Sequence, residues 1–151
     1  AKQETVPAAV IVYETMWKAT EKMARRIAEG IADAGVPVKV YNIAESDRTE
    51  VIADMLQAKG FLFGSSTHDN DMLPALAGFL ELVKGFKPKN RLASAFGSYG
   101  WAGGAVKEIE ESIKGAGMEV SLPPISFRFV PDQMELQKCV AFGRSFGELL
   151  K

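Results

Sequence analysis

The sequence predicts a three-layer α/β fold: a five-stranded parallel sheet of order 2-1-3-4-5, doubly wound, with helices on both faces. Three observations carry this. Apolar runs of strand length alternate with longer stretches of helical periodicity, the pattern of βαβ units. The first run is continuous rather than alternating, as a strand covered on both faces requires. Five runs of each kind can be counted, and of the two common doubly wound orders 2-1-3-4-5 is complete with five strands whereas 3-2-1-4-5-6 needs six. Right-handed crossovers then place helices on both faces.

Residues 1–7 read as a polar tail, and residues 8–151 as one domain. Ala8-Ala9-Val10-Ile11-Val12-Tyr13 is the first strand. In residues 20–34, Met23, Ile27, Ala28 and Ile31 recur at helical spacing, with Glu21 placed early to suit the helix dipole. Gly35 stops that helix. Residues 36–41 form the second strand, and residues 48–57 a short helix with Val51, Ile52, Met55 and Leu56 on one side. Phe61-Leu62-Phe63-Gly64 is the third strand, and the polar residues 65–70 a loop. The third helix covers residues 71–84, with Pro74 in its first turn, where a missing N–H costs little. Residues 91–96 are the fourth strand, 97–104 a glycine-rich loop and 105–114 the fourth helix. Residues 118–130 contain the fifth strand, which Pro123-Pro124 breaks and so confines to the sheet edge. Pro131-Asp132 opens the last helix, which runs to Leu150.

Composition narrows the function classes. The chain has 151 residues, 47% hydrophobic and 25% charged, the profile of an ordinary globular domain rather than a disordered one. Eighteen Lys+Arg balance nineteen Asp+Glu, leaving no basic excess for a nucleic acid backbone. No apolar run approaches the roughly 18–20 residues that cross a bilayer, and no basic segment with an apolar h-region opens the chain. No membrane partner is expected. The single cysteine, Cys139, excludes an intrachain disulfide and any Cys-rich metal site, which fits a reducing cytoplasm. It reads as a buried, inert thiol. The single histidine, His68, cannot furnish the two or more imidazoles of common zinc and di-iron sites.

In open α/β sheets, ligands bind beyond the carboxyl ends of the strands where the strand order reverses. The loops after the first, third and fourth strands therefore matter most. The first is Glu14-Thr15-Met16-Trp17-Lys18-Ala19-Thr20, leading directly into a helix. A helix start offers unpaired N–H groups and partial positive charge, and the hydroxyls of Thr15 and Thr20 could curl round a phosphate. Alternatively, Thr20 caps the helix. The stretch has neither the G-x-x-x-x-G-K-[ST] of a P-loop nor a G-x-G-x-x-G. After the third strand, Ser66, Thr67, His68, Asp69 and Asn70 offer donors and acceptors for sugar hydroxyls or ring nitrogens, although a plain solvated loop would look similar. After the fourth strand, Tyr99 and Trp101 stand among glycines, either as plates for a planar ring or as local packing. A phosphate cradle, a polar groove and aromatic plates along one sheet edge describe a site for FMN.

The same stretches resemble the flavodoxin-like domain of the flavodiiron proteins, or A-type flavoproteins, over nearly the whole chain. Thr15-Met16-Trp17-Lys18-Ala19-Thr20-Glu21-Lys22-Met23-Ala24 looks like that family's phosphate loop and first helix. Gly64-Ser65-Ser66-Thr67-His68-Asp69-Asn70, followed by Met72-Leu73-Pro74, is similar to its second FMN loop, usually written with Pro before the Thr and two Asn residues. Here Ser66 takes the place of that Pro, and His68-Asp69 depart from the pattern. Phe96-Gly97-Ser98-Tyr99-Gly100-Trp101-Ala102-Gly103 resembles the third, the most specific of the three. The resemblance implies a flavodoxin-like fold with FMN as cofactor. By it, the hydroxyls of Thr15 and Thr20 and the amides of Met16, Trp17, Lys18 and Ala19 hold the phosphate; the Lys18 side chain either reaches the phosphate or points into water, with water the favoured direction. Thr67, His68, Asp69 and Asn70 border the ribityl chain and ring, and Ser98, Tyr99, Gly100, Trp101 and Gly103 line the isoalloxazine.

Members of that family reduce oxygen or nitric oxide at a di-iron centre in a separate metallo-β-lactamase-like domain, to which the flavodoxin domain delivers electrons. The resemblance therefore implies an electron-transfer flavoprotein with a di-iron domain or other redox protein as partner. The chain would be an excised carboxyl-terminal domain, a subunit of such a system or a free-standing carrier. An FMN-dependent NAD(P)H:quinone reductase is the enzymatic alternative, and an apo interaction module the non-redox one. A receiver domain of the same topology is excluded, because Gly64-Ser65-Ser66 stands where its phosphorylated Asp is required. Glu108, Glu110 and Glu111 read as a solvated helix face which, with Asp69 and Asp71, could steer a basic partner.

Overall fold

The first apolar run becomes the middle of the strand β1 (Val6–Glu14), whose residues from Ala9 to Tyr13 are all buried. In the computed structural model, residues 5–69, 71–100 and 103–151 are described. β1 is followed by α1 (Ala19–Asp33), β2 (Val38–Asn42), α2 (Arg48–Gln57), β3 (Ala58–His68) and β4 (Asp71–Met72). Next come α3 (Pro74–Phe86), β5 (Leu92–Tyr99), α4 (Ala105–Gly115), β6 (Glu119–Val120), β7 (Ile125–Arg128) and α5 (Gln133–Leu150). The sheet runs β2-β1-β3-β5-β6, and β7 also pairs parallel with β5. This is the expected order 2-1-3-4-5, with the fifth strand split in two around Pro123-Pro124, which cannot donate to a ladder.

Alternate residues of β1 and β3 feed two cores. Val10, Val12, Phe61 and Phe63 point to one face, where Val51 and Met55 of α2, Leu76 and Phe79 of α3, and Ile109 and Ile113 of α4 cover them. Ile11, Tyr13 and Leu62 point to the other, under Met23, Ile27 and Ile31 of α1 and Phe142 and Phe146 of α5. Full burial of each such side chain contributes roughly 1.5–3 kcal/mol. On that second face α1 and α5 touch backbone to backbone. A Cβ added at Gly30 would lie 2.0 Å from the Val140 carbonyl oxygen, and one at Gly143 would lie 2.0 Å from that of Ile27. Cys139 is buried in the same layer, and burial pushes its thiol up to about 12, as an inert thiol requires.

The structure corrects three local expectations. β1 begins at Val6, so Val6 and Pro7 belong to the strand and not to a tail. Residues 65–68 and 97–99, expected in loops, continue β3 and β5, with Ser65 paired to Gly97 and Ser66 to Ser98. Their polarity misleads because these serines are buried against other polar groups rather than facing water. Residues 71–72, expected to begin a helix, instead pair antiparallel with Thr67 and His68, and α3 starts at Pro74. Asp69, between the two arms, has φ 49°, a left-handed conformation that Asp tolerates. The opening of α5 is as expected: Asp132 accepts from the Glu135 N–H at 2.8 Å while its own N–H donates to Glu135 Oε1 at 3.1 Å, a reciprocal cap. No helix among the described residues is long and apolar enough to cross a membrane.

Candidate functional site

The carboxyl ends of β1, β3, β5 and β7 converge on one cavity of about 700 Å³. Its floor is polar. Thr20 Oγ1 lies 2.9 Å from Ser66 Oγ and 2.9 Å from Ser98 Oγ, and Ser98 Oγ donates to Ser66 Oγ at 3.4 Å. The Met16 N–H donates to the same Ser66 Oγ at 3.0 Å. One side chain from β3 thus ties the loop after β1, the first turn of α1 and the end of β5 together. Three buried hydroxyls satisfy one another here, which offsets the cost of burying them.

One wall is the entry to α1. Trp17 and Lys18 adopt left-handed φ values of 59° and 63°, and Lys18, the N-cap, makes no capping hydrogen bond with its side chain. The first N–H groups of α1 have no intrahelical carbonyl to meet, so the helix presents uncapped donors and roughly half a positive charge at the cavity. Thr20 does not cap the helix. It sits inside the first turn with its hydroxyl committed to the serines. Among the described residues no Lys or Arg lines the cavity, so an anion would meet backbone amides and hydroxyls rather than a side-chain cation.

The second wall is the turn between β3 and β4. Thr67, His68 and Asp69 line the cavity, and His68 Nε2 lies 3.4 Å from Asp69 Oδ2. Three neighbours fasten this turn from behind. Ser65 Oγ accepts from the Leu73 N–H at 2.9 Å, Glu108 Oε1 from that of Met72 at 2.6 Å, and Glu14 Oε1 from that of Leu76 at 3.0 Å. Glu108 is therefore a structural acceptor, not part of a free acidic face. Tyr99 at the end of β5 and Gly100 just after it, with Phe129 and Val130 just beyond β7, form the third wall.

The sequence-predicted residues divide cleanly. Met16, Trp17, Ala19, Ser66, Thr67, His68, Asp69, Ser98, Tyr99 and Gly100 all line the cavity. Thr15, Lys18, Thr20 and Gly103 do not: Thr20 lies beneath the floor, Thr15 Oγ1 turns to the Met16 carbonyl at 3.4 Å, and Lys18 is exposed. Asn70 and Trp101 lie outside the described residues. Phe129 and Val130 escaped sequence reading because Ile125-Ser126-Phe127-Arg128-Phe129-Val130 looks like the end of an edge strand. The topology held the signal, since a strand parallel to β5 must end at the same sheet edge.

The flavodoxin family profile matches residues 11–143. The chain belongs to the flavodoxin family. The order 2-1-3-4-5 with its switch point between β1 and β3 is the arrangement for which flavodoxin is the standard example. An archaeal flavodoxin superposes with a TM-score of 0.85 at 30% identity, covering 95% of this chain and 98% of that one. Rubredoxin:oxygen oxidoreductase from Desulfovibrio gigas superposes with a TM-score of 0.94 at 32% identity, covering 98% of this chain but 37% of that one. In sequence, a nitric oxide reductase of Moorella thermoacetica is 43% identical over 140 residues, 92% of this chain and 35% of the relative. An anaerobic nitric oxide reductase flavorubredoxin of Escherichia coli O1:K1 / APEC is 44% identical over 139 residues, 91% of this chain and 29% of the relative. This flavodoxin domain thus spans about a third of the length of these curated relatives.

FMN is the cofactor of the family, and the residues present fit it. The cavity volume lies within the range of small-molecule sites, roughly 300–1,000 Å³. Uncapped amides at the head of α1 suit a phosphate, the β3–β4 turn offers polar groups to a sugar-like chain, and Trp17, Tyr99 and Phe129 offer aromatic surface to a planar ring.

Proposed function

We propose that this flavodoxin domain carries electrons through FMN to a di-iron centre that reduces oxygen or nitric oxide, borne by a further domain or by a partner protein. The observation that carries the reading is the convergence of a helix start without a side-chain cap and several aromatic side chains on one cavity, in a chain whose relatives are named for nitric oxide and oxygen reduction. When bound, FMN supplies reversible electron acceptance at its isoalloxazine. The amides of Trp17, Lys18 and Ala19 would hold the phosphate, over a floor set by Ser66 and Ser98. Thr67, His68 and Asp69 would border the ribityl chain, and Tyr99 would cover the ring and exclude water. Asn70, Trp101 and Gly103 remain part of this proposal through the family motif.

A carrier must bind its cofactor tightly and leave one edge reachable. Trp17 stands 88% exposed at the cavity mouth, so the site is open to a partner at that end. The cytoplasm is the proposed location, consistent with an unpaired buried thiol at Cys139.

The test is electron delivery. The FMN-loaded protein, reduced anaerobically, is mixed with nitric oxide with and without a separately prepared di-iron domain from a flavodiiron protein such as that of Giardia intestinalis. Fast flavin reoxidation is expected only when the di-iron domain is present. Equally fast nitric oxide reduction by the flavin domain alone, in the presence of a chelator, would contradict the proposal.

A further inference from the structure

Phe129 stands in a conformation that its own packing does not explain. Its φ is 62°, a left-handed value that bulky residues rarely adopt and that is commonly retained where function requires it. The side chain is 57% exposed and belongs to neither core cluster, so apolar burial within the protein does not offset the backbone strain. The surroundings nevertheless fix it. The Phe129 N–H donates to the Tyr99 carbonyl oxygen at 2.6 Å, and the preceding Arg128 Nε donates to the Gly100 carbonyl oxygen at 2.9 Å. The Arg128 guanidinium lies over the Phe129 ring, 5.0 Å from its centroid. The carbonyls of Tyr99, at the end of β5, and of Gly100, just after it, therefore clamp the segment that holds this exposed aromatic ring against the cavity. Gly100 presents only backbone there, and a Cβ added to it would come within 3.8 Å of Phe129 Cε1.

From this we infer that Phe129 is a contact plate for the planar ring of the bound flavin, and that Arg128 is the residue positioning it. The inference rests on the FMN reading above and extends it to a segment beyond β7 that the three expected loops do not include. Aromatic surfaces gain from offset or edge-on contact with a flat ring, and a ring already held in place loses little entropy when the ligand arrives. Contact with the ring and not the phosphate makes a specific demand: Phe129 must matter equally for FMN and for riboflavin.

Glycine at this position removes the ring while easing the left-handed backbone, so Phe129→Gly separates binding from folding. The apoprotein is titrated with FMN and with riboflavin, following quenching of flavin fluorescence, and thermal midpoints are recorded alongside. The parent binds FMN with strong quenching. Phe129→Gly is expected to keep its thermal midpoint within a few degrees, to lose roughly three- to tenfold in affinity for both ligands and to quench less. Phe129→Tyr restores affinity and quenching. Arg128→Ala gives a smaller loss of the same kind, equal for the two ligands. Parent-like affinity and quenching in Phe129→Gly, or a loss confined to FMN, would overturn the inference. A parent protein that binds no flavin overturns instead the reading on which it rests.

Discussion

Thr20 and Ser66 share a hydrogen bond of 2.9 Å although one stands in the first turn of α1 and the other near the end of β3, 46 residues apart. That bond makes Thr20 a structural tie beneath the cavity rather than a cap. Thr20→Val keeps the shape of the side chain but removes both of its hydroxyl contacts, to Ser66 and Ser98. At a net 0.5–1.5 kcal/mol each, the variant is expected to lose about 1–3 kcal/mol of stability in urea unfolding. A parent-like midpoint would show that the hydroxyl cluster contributes nothing to stability.

Ser66→Ala probes the same cluster from the side of the ligand. It releases the Met16 N–H and with it the loop that presents the first amides of α1. FMN affinity is expected to fall by roughly tenfold, equivalent to about 1.4 kcal/mol, and riboflavin affinity by clearly less. Titration of the variant with both ligands reads the difference, and equal losses would show that the loop plays no part in phosphate binding.

Local space predicts opposite outcomes for two helical glycines, one at the close approach of α1 and α5 and one in α3. Gly143→Ala drives a methyl group into the Ile27 carbonyl and is expected to cost about 3 kcal/mol or more. Gly85→Ala, near the end of α3 with nothing within 4 Å, is expected to stabilise by roughly 0.5–1 kcal/mol. Denaturant midpoints of the two variants measure both.

Fold and site were not equally legible in the sequence. Strand and helix number follow from apolar periodicity, the strand order follows from the strand count, and the extents of α2 and α5 differ little from expectation because Asp47 and Asp132 cap them. What periodicity hides is burial of polar groups. Ser65, Ser66 and Ser98 look like loop residues in a one-dimensional reading, and only the register of β3 against β5 turns them inward against one another and the Leu73 N–H. Thr20 is misplaced for the same reason: a hydroxyl at a helix start suggests either a cap or an anion ligand, and a third partner two strands away leaves no mark in local sequence. Phe129 depends on topology alone.

Tyr41 and Asp54 predict the pH response of the β2 edge. Burial, then the hydrogen bond to Asp54, pushes the Tyr41 phenol up to about 12, while that hydrogen bond holds the Asp54 carboxyl below its ordinary value. Tyr41 thus contributes stability that is complete below pH 10.0 and is lost as pH rises towards about 12. Asp54 contributes stability that is present above its ordinary value of 3.8 and is lost as pH falls through its lower folded value. Asp54→Asn is expected to flatten the acid limb of the stability profile and to lower the pH at which the Tyr41 phenolate absorbance rises. Unchanged acid and alkaline limbs would contradict the pairing.

The most direct test of FMN binding at the head of α1 is titration of the apoprotein with FMN, riboflavin and FAD, combined with mass spectrometry of the flavin that the protein retains. One FMN per chain is expected, bound more tightly than riboflavin because the head of α1 receives the phosphate, with no preference for FAD. No flavin bound after reconstitution, or riboflavin held as tightly as FMN, would contradict it.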